Sequence, residues 1–211
     1  MFDEYLRSRD GESFRPFDMV SDYKRYVDGK PRYQGVRSFL TARGIELPEG
    51  DSAEPPSDKS VSGLGNRKDL LVKQAIAEGR VESFEGSVRW VRQLREQGFR
   101  LAVVSSSRNC GPVLRAAHID ELFGVKVDGE TLIAESLPGK PAPDSFLHAA
   151  RLLSTTPARA VVVEDALAGV EAGRAGAFGL VIGVDREGHA DLLRAHGADL
   201  VVSDLAELLR A

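Results

Sequence analysis

Three short segments in the second half of the chain carry side chains that could bind a phosphate and a metal ion. The first is Ser-Ser-Ser-Arg-Asn at positions 105–109, which directly follows an apolar run. Hydroxyl, amide and free backbone N–H groups at the start of a helix attract an anion, because the helix dipole and the unpaired donors face it. Simple capping of the helix by Ser or Asn is the more common use of such residues.

The second segment is Gly-Lys-Pro-Ala-Pro-Asp at positions 139–144. Two prolines fix the backbone after Lys140, so the loop could present a single positive charge to a phosphate. A solvated lysine in a proline-rich loop is the alternative, and it is the commoner arrangement in proteins.

The third segment ends an apolar run with Glu164 and Asp165. Adjacent carboxylates at the end of a buried strand cost free energy unless they are paired, hydrogen-bonded or bound to a cation. Their hard oxygen atoms suit Mg²⁺, which takes one or two carboxylates and leaves room for a substrate phosphate. The alternative is that both acids only favour the positive end of the next helix dipole.

The elements that must position these segments alternate between strands and helices. After residue 85, segments with helical periodicity alternate with short apolar, β-branched runs. These runs are LAVVSS, AVVVED, LVIGV, DLVVSD and a short run near Val125. This alternation predicts an α/β fold with a Rossmann-like parallel sheet, whose strands are buried on both faces. Ligands bind beyond the carboxyl ends of such strands, so we expect the three segments to meet there.

The first 84 residues contain no convincing strand. Helical spacing places Val36, Phe39 and Leu40 on one face of a helix that stops near Gly44, and a second apolar stripe predicts a helix over residues 67–79. The Pro-, Ser- and Gly-rich stretch between them, residues 48–65, predicts a long exposed loop. We therefore expect a helical unit at 1–85 and an α/β core at 86–211.

Five segments resemble one known family. VVSSSRN, GKPAPDSF and VVVEDALAGVEAGRAGA resemble the second, third and fourth motifs of the haloacid dehalogenase superfamily. VDGKPRYQGVRSFL and LGNRKDLL resemble the helical cap of its β-phosphoglucomutase-like subgroup. The resemblance covers nearly the whole chain and implies a haloacid dehalogenase-like α/β core with a helical cap domain at 1–85.

The resemblance also implies a role for each matched residue of the core. Ser105 would hydrogen-bond the transferring phosphoryl group, with Ser106 and Asn109 supporting the phosphate. Lys140 would neutralise charge that grows as the transition state develops.

For the metal and the cap, the resemblance implies Mg²⁺ as cofactor, held by Glu164 and Asp165 directly or through water. Arg32 would grip the distal phosphate of a sugar phosphate, a task that suits a guanidinium fork. Lys68 lies in the stretch that resembles the substrate-specificity segment of the cap. Arg32 and Lys68 could equally be solvated charges on helices.

One motif of the family has no counterpart in the sequence. The first motif is an apolar strand ending in Asp-x-Asp-Gly, whose aspartates act as nucleophile and as general acid and base. No Asp-x-Asp occurs among the 211 residues, and the pair Asp28-Gly29 follows no buried strand. We therefore expect the first core strand to be missing, the sequence to be an N-terminally truncated form, and this form to lack phosphoryl transfer.

In the intact protein, the resemblance implies Mg²⁺-dependent conversion of β-glucose 1-phosphate to glucose 6-phosphate. Three alternatives remain open: a sugar-phosphate phosphatase, a catalytically silent module that binds sugar phosphates, and an unrelated α/β protein whose loops match by accident.

Composition narrows the partners. The charge is close to balanced, with 28 Lys and Arg against 32 Asp and Glu, which gives no electrostatic reason to expect nucleic acid. No apolar run approaches the ~20 residues of a membrane span. The single cysteine, Cys110, excludes an internal disulfide and a multi-cysteine zinc site and favours a reducing, cytoplasmic setting. We expect a small sugar phosphate as partner and favour a monomer.

Overall fold

The structure is a computed structural model that describes residues 1–209. Its secondary structure follows the predicted order, with helices first and alternating strands and helices afterwards. The α-helices of the described residues are α1 Phe2–Asp10, α2 Arg32–Ala42, α3 Val61–Ala77, α4 Glu85–Glu96, α5 Cys110–Ala116, α6 Gly129–Ala134, α7 Asp144–Leu152, α8 Leu167–Ala175 and α9 Ala190–Ala195. The strands are β1 Ala102–Val104, β2 Val125–Val127, β3 Val161–Glu164, β4 Leu180–Val184 and β5 Leu200–Val202.

The helices of the first 77 residues surround a core of their own. Val36, Phe39 and Leu40 are buried on one face of α2, as the helical spacing predicts. The ring of Phe39 packs against those of Phe2 and Phe17, at centroid distances of 4.4 and 4.9 Å. Such aromatic contacts add to the free energy of apolar burial. A π-helical turn at Tyr23–Val27 packs on α2 and leads the chain into Asp28.

Helix α3 begins earlier than its sequence predicts. Residues 61–65 are helical and buried, so the prediction of an exposed loop up to residue 65 is wrong for its last five residues. The Ser60 hydroxyl caps the helix by accepting a hydrogen bond from the Gly63 N–H at 2.8 Å. Gly65 lets the helix approach Tyr33 closely, because a Cβ there would lie 2.5 Å from the ring. Glycine and serine serve close packing here, although their composition is typical of a loop.

The strands form two parallel sheets. Strands β1 and β2 pair in parallel from Ala102 opposite Val125, and a second sheet has the order β3-β4-β5. Both sheets are parallel, as the alternating pattern predicts. Val104 of β1 packs on the buried cluster that contains Val162 of β3, so the two sheets lie side by side. Within the described residues no backbone ladder joins them.

The buried clusters follow the predicted division of the chain without testing its boundary. Among the described residues, the core of the helical unit draws on nothing beyond Leu64, and the clusters around the sheets draw on nothing before Trp90. The boundary between 85 and 86 stays a prediction, and residues 210 and 211 of the predicted core lie outside the described residues. No helix in the described part of the chain is both long and apolar enough to span a membrane.

Candidate functional site

A cavity of about 380 Å³ opens between the helical unit and the carboxyl ends of β1 and β3. Every candidate site residue predicted from the sequence lines this cavity. These are Arg32, Lys68, Ser105, Ser106, Asn109, Lys140, Glu164 and Asp165. The structure therefore brings the nominated residues together, whereas their individual roles stay predictions.

The serines that follow β1 are already hydrogen-bonded. The Ser105 N–H donates to Val127 O at 2.9 Å and extends the pairing of β1 with β2 by one residue. The Ser105 hydroxyl accepts from the Ser107 N–H at 3.2 Å. The Ser106 hydroxyl donates to Gly29 O at 2.7 Å, which ties the end of β1 to the helical unit. These contacts fix the loop that precedes α5.

Lys140 is buried inside the protein, so the alternative of a solvated lysine is wrong. Its side chain is 4% exposed, and its ammonium group donates a short hydrogen bond to Glu164 Oε1. The ammonium also lies 3.5 Å from Val104 O and 4.6 Å from the centroid of the Phe146 ring. Lys140 therefore contacts the end of β1 and the end of β3 at once.

Both carboxylate oxygens of Glu164 have partners. Oε1 accepts from Lys140, and Oε2 accepts from the N–H groups of Asp165 and Ala166 at 3.0 and 3.1 Å. Helix α8 passes close to this carboxylate, because a Cβ at Gly169 would lie 2.1 Å from it. Three protein donors thus hold Glu164, and Oε1 keeps one lone pair that could accept a further partner.

Asp165 and Asp28 form an acidic corner of the cavity. Burial and the negative charges of Glu164 and Asp28 raise the pKa of Asp165 to about 6. Burial, followed by the charge of Glu164, also raises the pKa of Asp28. Sequence reasoning set Asp28 aside because it follows no strand. The structure nevertheless places it in the cavity, where the next residue, Gly29, can approach Ala166 because it has no Cβ.

The carboxylates of Glu164 and Asp165, the expected metal ligands, fit Mg²⁺ in chemistry. Hard oxygen atoms are the donors that Mg²⁺ prefers, and a cation would offset the burial and the negative charges that raise the pKa of Asp165. Within residues 1–209 no group of three or more His, Cys, Asp or Glu side chains is arranged to hold a metal ion. A Mg²⁺ ion held by Glu164 and Asp165 would take its remaining ligands from water and substrate, as Mg²⁺ commonly does.

The opposite end of the cavity is basic, with one carboxylate at its centre. Oδ1 of Asp69 on α3 accepts from Arg32 Nη2 at 2.5 Å and from Asn109 Nδ2 at 2.7 Å. Lys73 Nζ lies 2.9 Å from Oδ2 of the same side chain. Burial alone would raise the pKa of Asp69, but the hydrogen bonds from Lys73 and Asn109 and the charge of Arg32 lower it. Sequence reasoning missed Asp69, although it directly follows Lys68.

Lys68 lies between the two ends of the cavity. Burial lowers the pKa of its ammonium group, the charge of Arg32 lowers it further, and the carboxylate of Asp28 acts in the opposite direction. A lysine in such surroundings gains from a negatively charged ligand, because the ligand would compensate both burial and the neighbouring guanidinium.

Comparisons with known proteins identify the family of the chain. A family model described as haloacid dehalogenase-like hydrolase matches residues 12–176. The chain is 50% identical over 215 residues to a protein of Mycobacterium tuberculosis named beta-phosphoglucomutase, covering 99% of this chain and 82% of that protein. It is also 43% identical over 129 residues to a trehalose-phosphate phosphatase of Mycobacterium leprae, covering 59% of this chain and 28% of the relative.

A solved structure shares the fold. The crystal structure of beta-phosphoglucomutase (pgmB) from Clostridium difficile superimposes with a TM-score of 0.74 at 20% identity, covering 99% of this chain and 83% of that one. The family match spans most of the chain, and the mycobacterial relative is similar over nearly all of it. The chain therefore belongs to the haloacid dehalogenase-like hydrolase family, in its β-phosphoglucomutase-like subgroup.

Proposed function

We propose that the protein serves Mg²⁺-dependent phosphoryl transfer on a hexose phosphate, the conversion of β-glucose 1-phosphate to glucose 6-phosphate. The observation that carries the proposal is the meeting of every nominated side chain around one cavity of about 380 Å³, a volume typical of small-molecule sites. The name of the relative that is 50% identical supports the reaction.

The two ends of the cavity suit the two ends of such a substrate. Lys140 and Ser105 would face the phosphoryl group that is transferred, where a buried ammonium group stabilises growing negative charge better than one in water. Arg32 and Asn109 would orient the distal phosphate, and Lys68 would face the sugar between them. In the free protein Glu164 holds Lys140 in this position.

Glu164 and Asp165 would hold the Mg²⁺ ion. The ion would supply positive charge to the oxygens of the transferred phosphoryl group. The carboxyl of Asp165, whose pKa burial and like charges raise, is the side chain that gains most from such a cation.

We further propose that the 211 residues alone bind the sugar phosphate without turning it over. The covalent route of the family needs an aspartate nucleophile and a second aspartate as acid and base, and no Asp-x-Asp occurs in this sequence. Asp28 is part of the acidic corner, but it follows a π-helical turn rather than a strand end. The chain as given would then act as a binding module.

The binding part of the proposal is tested by titration calorimetry with glucose 6-phosphate, inorganic phosphate and glucose. We expect glucose 6-phosphate to bind more tightly than the other two. Lys140→Met/Glu164→Gln, which leaves no unpaired charge of this ion pair, is expected to weaken its binding at least tenfold. Lys126→Ala is the matched control, because Lys126 is exposed on β2 and lies outside the cavity. Equal affinity for phosphate and glucose 6-phosphate would exclude a sugar-phosphate site.

The catalytic part is tested by assaying the same chain with β-glucose 1-phosphate, Mg²⁺ and a trace of glucose 1,6-bisphosphate. We expect no turnover above background. A rate typical of the family that is abolished by Lys140→Ala would overturn the proposal that this sequence lacks its nucleophile.

A phosphatase is the second candidate, because the chain is similar to a trehalose-phosphate phosphatase over 59% of its length. Water would then accept the phosphoryl group in place of a sugar hydroxyl. Release of inorganic phosphate without isomerisation of the sugar phosphate would favour this activity over the mutase.

The proposal includes a reducing, cytoplasmic setting and a monomer. The setting is supported by the single cysteine, Cys110, which is buried and whose thiol pKa is raised by burial. Sedimentation analysis of the purified chain would test the monomer.

A further inference from the structure

We infer that the carboxylate of Asp69 occupies the distal anion site of the free protein and must leave it before a phosphate can bind. The inference rests on the proposed function, because it takes Arg32 and Asn109 as phosphate ligands. It adds to that function an internal competitor for the site.

The hydrogen bonds of Asp69 identify it as the competitor. A single oxygen, Oδ1, accepts from both Arg32 Nη2 and Asn109 Nδ2, at 2.5 and 2.7 Å. Both distances are those of strong hydrogen bonds, and the side chains of Arg32 and Asp69 are only 14% and 12% exposed. A phosphate oxygen that takes the same two donors has to replace Oδ1.

The charges around Asp69 also favour competition over support. Arg32, Lys68 and Arg108 line the same cavity, and Lys73 lies 2.9 Å from Oδ2 of Asp69. The pKa of Asp69 is lowered, so its carboxylate is charged at neutral pH. A phosphate that arrives beside this carboxylate would share its cations and meet a like charge at short range, which is unfavourable when the site is partly buried.

The alternative is that Asp69 only holds Arg32 and Asn109 in place for the phosphate. The two roles predict opposite effects of one substitution. Asp69→Asn keeps the shape and one oxygen acceptor but removes the negative charge. A competitor that loses its charge lets phosphate bind more tightly, whereas a positioning residue that loses its charge leaves the donors less well held and weakens binding.

The bond between Asp69 and Asn109 also links the helical unit to the α/β core. Asp69 lies in α3, and Asn109 is the residue before α5. An arriving phosphate would replace this direct link with one that passes through the ligand. The apparent affinity of the site for an anion is then its intrinsic affinity multiplied by the fraction of molecules that Asp69 has left open.

The test is titration of inorganic phosphate into the wild-type chain and Asp69→Asn by calorimetry at low salt. We expect the variant to bind phosphate about tenfold more tightly, which corresponds to about 1.4 kcal/mol. Asp58→Asn is the matched control, because Asp58 is an acid of the same helical unit that pairs with Arg67 on the surface. Its removal is expected to change phosphate affinity less than twofold.

Two further variants keep the test decisive. Adding Arg32→Gln to Asp69→Asn is expected to abolish the gain, since the freed guanidinium would be its source. Asp69→Ser repeats the measurement if Asp69→Asn does not fold. Phosphate affinity that is unchanged or lower in the folded Asp69 variant, or an absence of phosphate binding in both proteins at millimolar concentration, would overturn the inference.

A parallel titration with glucose 6-phosphate separates this inference from the proposed function. If Asp69→Asn tightens phosphate binding and the sugar adds nothing to it, the competitor is supported and the hexose phosphate is wrong. If glucose 6-phosphate binds through Lys140 and Asp69→Asn does not tighten it, the proposed function stands and the competitor is wrong.

Discussion

Replacing Lys140 with methionine is expected to destabilise the protein strongly, because it leaves Glu164 as an unpaired charge between the two sheets. The two side chains are 4% and 8% exposed. Methionine retains much of the apolar length of lysine and can still pack on Phe146, whose ring lies 4.6 Å from the ammonium group. The principal loss is therefore the positive charge and its hydrogen bonds.

The structure sets the size of this effect. Removing one partner of a buried ion pair costs about 3–5 kcal/mol, because the remaining charge stays buried without compensation. Oε2 of Glu164 keeps the N–H groups of Asp165 and Ala166, so we expect a value near the middle, about 4 kcal/mol. In Lys140→Met/Glu164→Gln neither charge of the pair remains and the amide oxygen can still accept those N–H groups, so the cost is expected to fall to about 1–2 kcal/mol.

Urea unfolding at pH 7, followed by the fluorescence of the single tryptophan, measures both costs. That residue, Trp90, packs against the cluster formed by β4 and β5 and so reports on the core. Lys24→Met is the matched control, because Lys24 pairs with Glu187 at 2.9 Å and Glu187 is 57% exposed. Lys24 is 18% exposed, but its carboxylate partner lies in solvent, so we expect this pair to contribute no more than about 1 kcal/mol.

Two results would refute the reasoning. One is a Lys140→Met protein no less stable than the Lys24→Met control. The other is a double variant no more stable than Lys140→Met, since neutralising Glu164 should then have restored most of the loss. If Lys140→Met is unfolded without urea, a folded double variant still shows the recovery.

Three further outcomes are expected from the structure. Gly169→Ala should lower the free energy of unfolding by about 2 kcal/mol, because its Cβ would lie 2.1 Å from the Glu164 carboxylate. Gly124→Ala, whose Cβ meets nothing closer than 4.0 Å, should change this free energy by less than about 0.5 kcal/mol. Equal losses in the two variants would contradict the expected difference. Burial would raise the pKa of Asp22, but hydrogen bonds lower it in the folded protein. Its contribution to stability is therefore complete above the unfolded pKa near 3.9 and is lost as the pH falls through the lower folded pKa. Asp22→Asn should flatten the fall of the urea midpoint below pH 4, and an unchanged pH profile would argue against this role of Asp22. Ser145→Ala should leave stability in thermal unfolding unchanged or raise it by up to about 1 kcal/mol, because this buried hydroxyl has no hydrogen-bond partner in the described part of the chain. A loss of stability above about 1 kcal/mol would show that the hydroxyl has a stabilising partner.

The sequence predicts the strands and the main helical face well, because both depend on local patterns. Runs such as Val161–Glu164 are short and β-branched and suit a strand between layers of helices. The start of α3 is harder to predict, because residues 48–65 have the composition of a loop. What makes residues 61–65 helical is the capping hydroxyl of Ser60 and the packing of Gly65 on Tyr33, a contact between residues 32 positions apart.

In the candidate site, too, residues placed by local patterns are predictable and residues placed by distant contacts are not. Ser105 and Glu164 are predictable, because parallel strands present their carboxyl ends at one edge. Lys140 follows α6 rather than a strand, so its contact with Glu164 depends on how its loop folds back on β3. Asp28 and Asp69 are not predictable either, because they lie in the helical unit and reach the cavity only through the way that unit packs over the strand ends. No local pattern in the sequence encodes this packing.

Both ends of the cavity hold a cation that is already paired with a carboxylate, Lys140 with Glu164 and Arg32 with Asp69. Binding a phosphate at either end is therefore an exchange of anions, and its free energy is the difference between two strong interactions. The exchange is harder near Lys140, because that pair is almost completely buried and contacts both sheets. At Arg32 the competing carboxylate is that of Asp69 on α3, and the residue after Asp69, Leu70, is exposed to solvent. We therefore expect the distal end to accept a phosphate first and the buried end to be engaged only after it.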